Sequence, residues 1–139
     1  MRQIAYTSVA TSQLGQDDVF RIVEKSVGNN MDRGITGFLI YADGRFFQLI
    51  EGEEGALHAL LAVLRTDPRH QQIDVLLNEP IAERRFPRWR MQRVGRTHDA
   101  LAEVRGALTG DGGQAVLRHI DFFLAGAVQP VYAAMKPAA

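Results

Sequence analysis

An α+β fold is predicted for this chain by three features. Two short apolar runs flank Asp43-Gly44, a strong hairpin signal. Stretches with helical spacing of apolar residues alternate with strand-like ones. The length, 139 residues, suits one domain. In chain order the elements read β-α-β-β-α-β-β, followed by two more helices. That is the order of a ferredoxin-like sheet with one added strand and two helices on one face. The two C-terminal helices are then expected on the other face, where their apolar stripes find cover.

Residues 2–8 (RQIAYTS) read as a strand whose Ile4, Tyr6 and Ser8 share one face. Asp17 or a neighbour caps a helix running to about Gly28, with Val19, Ile22, Val23 and Val27 on its apolar side. Asn29, Asn30 and Gly34 mark its end and a turn. Strands follow at 35–41 and 45–51. Alternation in the second sets Phe47 and Leu49 against Phe46, Gln48 and Ile50. A glutamine amide thus shares a side with two large apolar groups, and if that side is buried the amide needs a hydrogen-bond partner.

Glu53 to Leu64 is an amphipathic helix through Leu57, Leu60, Leu61 and Leu64, stopped by Asp67-Pro68. Residues 71–77 resemble another strand. Residues 89–94 read as the last one, with Trp89, Met91 and Arg93 on one face. Helices are expected at 99–108 and 113–126, joined by Gly110-Asp111-Gly112-Gly113. The domain boundaries expected are 1–95 for the sheet domain, 96–127 for a helical cap and 128–139 for a tail.

Composition excludes several function classes. There is no cysteine, so disulfides, thiolate catalysis and cysteine-ligated metals are absent. Sixteen basic residues balance sixteen acidic ones, which argues against direct nucleic-acid binding. Arg84, Arg85, Arg88, Arg90 and Arg93 are read as a solvated face. His58, His70, His98 and His119 show no ligand spacing. Glu51, Glu53 and Glu54 are read as carboxylates at a helix start, where they favour its dipole, rather than as cation ligands. No serine elbow, Walker loop or HExxH occurs, so no enzyme and no metal site is expected. The N-terminus does not read as a signal peptide, and no apolar run approaches the roughly 18 residues of a membrane span. A soluble cytoplasmic protein is the expectation.

Taken singly, each polar residue above has an ordinary structural explanation. Taken in order, they form a specific pattern: the IAYTS strand, Asn29-Asn30, GITGFLIY, Phe47-Gln48-Leu49-Ile50-Glu51-Gly52, Asp67-Pro68-Arg69-His70, and Arg85-Phe86 before Trp89 and Met91. Over roughly residues 2–95 this pattern resembles the BLUF family of blue-light sensors using FAD. The helical pair after it resembles the C-terminal cap of short, single-domain members. Ile50 stands where leucine is usual, and Arg90 where serine is common; neither removes a group the family's photochemistry uses.

The resemblance implies roles. Tyr6 matches the tyrosine that donates an electron to the excited flavin. Gln48 matches the glutamine between that tyrosine and the flavin, and Asn30 the asparagine on the flavin carbonyl edge. Ile22 and Leu64 match apolar residues that sandwich the ring, and Arg69 and His70 a pair that lines the cofactor site. Ser8 matches a small hydroxyl residue beside the tyrosine. Trp89 and Met91 match a mobile pair whose placement near the glutamine reports the light state. FAD is the implied cofactor, with FMN and riboflavin as alternatives because contacts concentrate on the ring. The signal is expected to leave through the last strand and the C-terminal helices to an unknown effector protein or through a homo-oligomer. A flavin-free ferredoxin-like regulatory or interaction module, and a flavin-dependent redox enzyme, are the alternatives.

Overall fold

The computed structural model describes residues 1–10, 34–66 and 70–128. The helix expected over 17–28, the Asn29-Asn30 pair and the tail from Gln129 lie outside the described residues. Strand β1 spans Arg2–Ala10, β2 Thr36–Ala42 and β3 Arg45–Gly52. Helix α1 spans Glu54–Thr66, strand β4 His70–Pro80 and strand β5 Arg90–Val94. Helices α2 (His98–Ala107) and α3 (Gly110–Val128) follow among the described residues.

The strands form one sheet in the order β4-β1-β3-β2-β5. Strands β1 and β4, β1 and β3, and β2 and β3 pair antiparallel, while β5 lies parallel to β2 at the edge. This is the expected ferredoxin-like sheet with its added strand. The β2–β3 turn places Asp43 at φ 50° and Gly44 at φ 80°. Positive φ at both central residues makes a tight two-residue hairpin turn, so Asp-Gly acts as its spelling suggests.

The sheet divides the core by the period of two. On one face Ile4, Tyr6 and Ile50 pack with Leu57, Leu60, Leu61 and Leu64 of α1 and with Met91. On the other, Ala5, Phe38, Ile40, Phe47 and Leu49 pack with Leu101 and Val104 of α2 and Val116, Ile120 and Phe123 of α3. The cap helices thus cover the second face, as expected. Each fully buried large side chain contributes roughly 1.5–3 kcal/mol. Arg45 adds a directional contact, its guanidinium 5.0 Å from the centre of the Phe123 ring.

Two local expectations are corrected. The glycine-rich stretch 110–113 is not a linker; it forms the first turn of α3, and the connection is only Leu108-Thr109. A Cβ on Gly113 would lie 2.4 Å from the Leu108 carbonyl carbon, so glycine is there to let the new helix start against the chain it has just left. Trp89, Met91 and Arg93 do not share a face. The β2–β5 ladder pairs Gly37 with Arg90 and then Phe38 with Gln92, so Met91 is an extra residue, at φ 60°. A bulge of this kind shifts the alternation by one. Trp89 therefore packs into the cap-side cluster, whereas Met91 packs on the α1 side.

Candidate functional site: a buried phenol–amide–thioether chain

Tyr6 and Gln48 are Cα partners in the β1–β3 ladder, so their side chains leave the same face of the sheet. Both are almost fully buried, in the middle of a five-stranded sheet and beneath α1. The Tyr6 hydroxyl donates to Gln48 Oε1. The Gln48 amide nitrogen donates to the Met91 sulfur at 2.8 Å. A side-chain amide accepts on its oxygen and donates from its nitrogen while carrying no charge. Gln48 thereby links a phenol on β1 to a thioether on β5.

Burial pushes the Tyr6 phenol well above its ordinary value of 10. The phenol stays protonated and neutral, as a donor to an amide oxygen requires. Met91 reaches the amide because of its bulge: the left-handed backbone turns its side chain under Gln48. Beside it Gly37 has φ 147° and donates its N–H to the Trp89 carbonyl at 2.7 Å. A Cβ on Gly37 would stand 1.8 Å from the Leu49 carbonyl oxygen, so the bulge is built on a residue that must be glycine.

Ser8 is buried two residues along β1 from Tyr6, and Leu64 is fully buried on the sheet-facing side of α1. Trp89 is half-buried on the opposite side of the sheet, against Phe38 and Phe86 at centroid distances of 6.3 and 5.0 Å. His70 is the first residue of β4. Ile22, Asn30 and Arg69 lie outside the described residues. The structure thus brings Tyr6, Gln48 and Met91 together and sets Trp89 apart from them.

The donor set suits a flavin. Its ring system is flat and largely apolar, with a polar edge of alternating acceptors and one donor. The face offers an aliphatic wall from α1 and one amide with two N–H donors, of which a weakly accepting sulfur takes one.

A second polar group on the opposite face was misread from the sequence. Glu51 is the penultimate residue of β3, completely buried, and does not begin α1. Its carboxylate accepts the backbone N–H of Arg85 at 2.8 Å and of Phe86 at 2.9 Å. Burial pushes its carboxyl up, and those two N–H groups with Arg84 and Arg85 pull it part of the way back. Arg84 and Arg85 are not a solvated face either. Arg84 donates to Thr36 Oγ1 at 2.8 Å and to the Glu51 carbonyl at 3.0 Å. Arg85 donates to the carbonyls of Thr109 and Ala107 at 2.9 and 3.4 Å. The signal for Glu51 was its phase: it falls on the same face as Phe47 and Leu49 by the period of two, and a carboxylate in step with two buried apolar residues needs donors.

Comparison with known proteins agrees with this geometry. The BLUF family profile, described as sensors of blue-light using FAD, matches residues 1–92. The chain is 34% identical over 84 residues to photoactivated adenylate cyclase subunit beta of Euglena longa, covering 60% of this chain and 10% of that protein. It is 31% identical over 106 residues to the blue light- and temperature-regulated antirepressor BluF of Escherichia coli, covering 70% of this chain and 26% of that one. The chain therefore spans a tenth to a quarter of these curated relatives. Among solved structures, the dark state of the BLUF protein BlrB superposes with a TM-score of 0.65 at 31% identity, covering 99% of this chain and 96% of that one. A buried Tyr6–Gln48 pair on a ferredoxin-like sheet, in a chain whose first 92 residues match the family throughout, has one reading: this protein belongs to the BLUF family and is a flavin-using blue-light photoreceptor.

Proposed function

We propose that light is converted to signal at the Tyr6–Gln48–Met91 chain and that FAD is the flavin used. A bound flavin supplies blue absorption and, once excited, the oxidising power to draw an electron from a nearby phenol. Tyr6 is the donor, because it is buried, neutral and held on a central strand. Its proton is aimed at Gln48 Oε1 and moves with the electron. Gln48 then changes its orientation or tautomer, exchanging which of its bonds go to Tyr6 and Met91. Asn30, Ile22, Leu64, Arg69 and His70 hold the ring, and Ser8 supports Tyr6; these roles rest on the family pattern.

The output passes through β5. Met91 touches the amide, and β5 leads directly into α2. Residues 1–95 form the flavin-binding unit, 96–127 the responding cap and 128–139 a tail. The chain acts as a sensor, with no catalysis of its own, in the cytoplasm; among the described residues no helix is long and apolar enough to cross a membrane. It hands its state to a protein partner or to a second copy, a reading supported by the antirepressor name of the Escherichia coli relative and by Phe122 of α3, which is 78% exposed. The observation that carries the reading is the buried phenol–amide bond. Its test is the absorption spectrum of the purified protein before and after blue illumination. A small, reversible red shift of the flavin band is expected; a bound flavin with an unchanged spectrum overturns the reading.

A further inference from the structure

The cap helices meet the sheet mainly through apolar packing, which is non-directional and tolerates sliding. Arg85 is different. Its main chain is pinned to Glu51 of β3, and its side chain to the carbonyls of Ala107 and Thr109, which flank the end of α2. The Ala107 carbonyl is among those that the end of α2 leaves without partners of its own, and the Thr109 carbonyl belongs to the connection that leads into α3. The α2–α3 connection is only two residues long, so a pull on Thr109 moves the end of one helix and the start of the next.

The other side of Arg85 leads to the light-responsive strand. Phe86 shares the Glu51 carboxylate with Arg85. Its carbonyl accepts the Trp89 N–H at 3.3 Å, and its ring lies 5.0 Å from the indole. Trp89 is in turn tied to Gly37 and leads into the bulge at Met91. A continuous series of contacts thus runs from Met91 through Trp89, Phe86 and Arg85 to the joint of the cap.

Two further features suit a moving part. The Arg85 Nε is buried and makes no hydrogen bond among the described residues, so this donor does not tie the guanidinium in place. A cleft of about 500 Å³, lined by Arg84, Arg85, Glu79, Thr109 and Gly112 among others, lies beside the guanidinium and gives it room to shift.

We propose that Arg85 is the positioning residue that carries a displacement of β5 to the α2–α3 joint, so that the signal reaches the cap through the 81–89 loop as well as along the chain. This rests on the photochemical reading above. The experiment is hydrogen exchange of the full-length, flavin-loaded chain, in dark and under blue light, for the wild type, Arg85→Met and Arg85→Gln. The red shift is expected in all three. In the wild type, exchange in residues 98–128 changes on illumination. In both variants that light-minus-dark difference falls below half its wild-type size, while the difference in residues 86–94 persists. An arginine with a merely structural role would lower protection equally in dark and light and leave the difference intact. A wild-type-sized difference over 98–128 in either folded variant overturns the proposal, as does a wild type whose red shift leaves 98–128 unaffected. A wild type with no red shift instead overturns the reading beneath it.

Discussion

Tyr6 and Gln48 face each other across the β1–β3 ladder, and the phenol of the first donates to the amide oxygen of the second in a site closed to solvent. Their chemistry is separable from their packing. Gln48→Leu preserves volume but removes both halves of the relay. The light-induced red shift is expected to vanish, while the flavin band itself remains; difference spectroscopy checks this. A full red shift in Gln48→Leu would show that the amide is not the relay.

Tyr6→Phe removes one hydroxyl and leaves Gln48 Oε1 without its donor. An unmet buried acceptor costs about 1–3 kcal/mol, so the melting temperature should drop by several degrees with the fold retained. The productive light reaction should be lost as well. Thermal unfolding and illumination of the same sample measure both effects.

The raised phenol value has a pH signature. In the folded chain Tyr6 keeps its proton above pH 10, while in the unfolded chain it ionises near that value. The folded state then binds the extra proton, so the contribution is fully present below pH 10 and is lost as pH rises past it. Between pH 9 and 11 the wild type should therefore lose stability more steeply than Tyr6→Phe, the extra slope growing from near zero to roughly one proton's worth. Parallel slopes in denaturant titrations would contradict the burial of the phenol.

Gly37→Ala is expected to be among the most damaging single changes. Its Cβ would fall 1.8 Å from the Leu49 carbonyl oxygen at a φ of 147°, and backbone must move on both strands. A loss of about 4 kcal/mol or more places it in the severe tail of point mutants. Gly55→Ala is the control: nothing lies within 4 Å of that position on α1, and removing a helical glycine should gain roughly 0.5–1 kcal/mol. Chemical denaturation of the pair tests the contrast.

Glu51→Gln keeps the shape of the buried side chain but only one acceptor oxygen for the N–H groups of Arg85 and Phe86. One of those amides loses its partner, for about 1–3 kcal/mol. Its exchange should accelerate selectively. Uniform exchange across residues 81–89 would show that the carboxylate does not hold the loop.

Much of this architecture was legible in the sequence because it obeys simple periods. Phe47 and Leu49 against Gln48 and Ile50 foretold the two faces of β3, and the leucines of α1 foretold which side it covers. Counting by twos failed where the backbone departs from the period. The bulge at Met91 depends on a left-handed residue that no run of apolar letters announces, so Trp89 was placed on the wrong side. Gly110 to Gly113 looked like punctuation because glycine clusters usually are; the close approach to Leu108 that requires Gly113 is a tertiary fact. Glu51 was misread for a similar reason. Near a helix start a carboxylate has an adequate local explanation, which hid the loop that folds over it from more than thirty residues away.

The bulge also equips the molecule with its own optical probe. Trp89 is the single tryptophan in the chain, and it sits immediately before the strand in which Met91 is the spare residue. All indole emission from this protein therefore originates at one hinge point, wedged between Phe38 and Phe86. Its colour and lifetime monitor the edge strand without any added label.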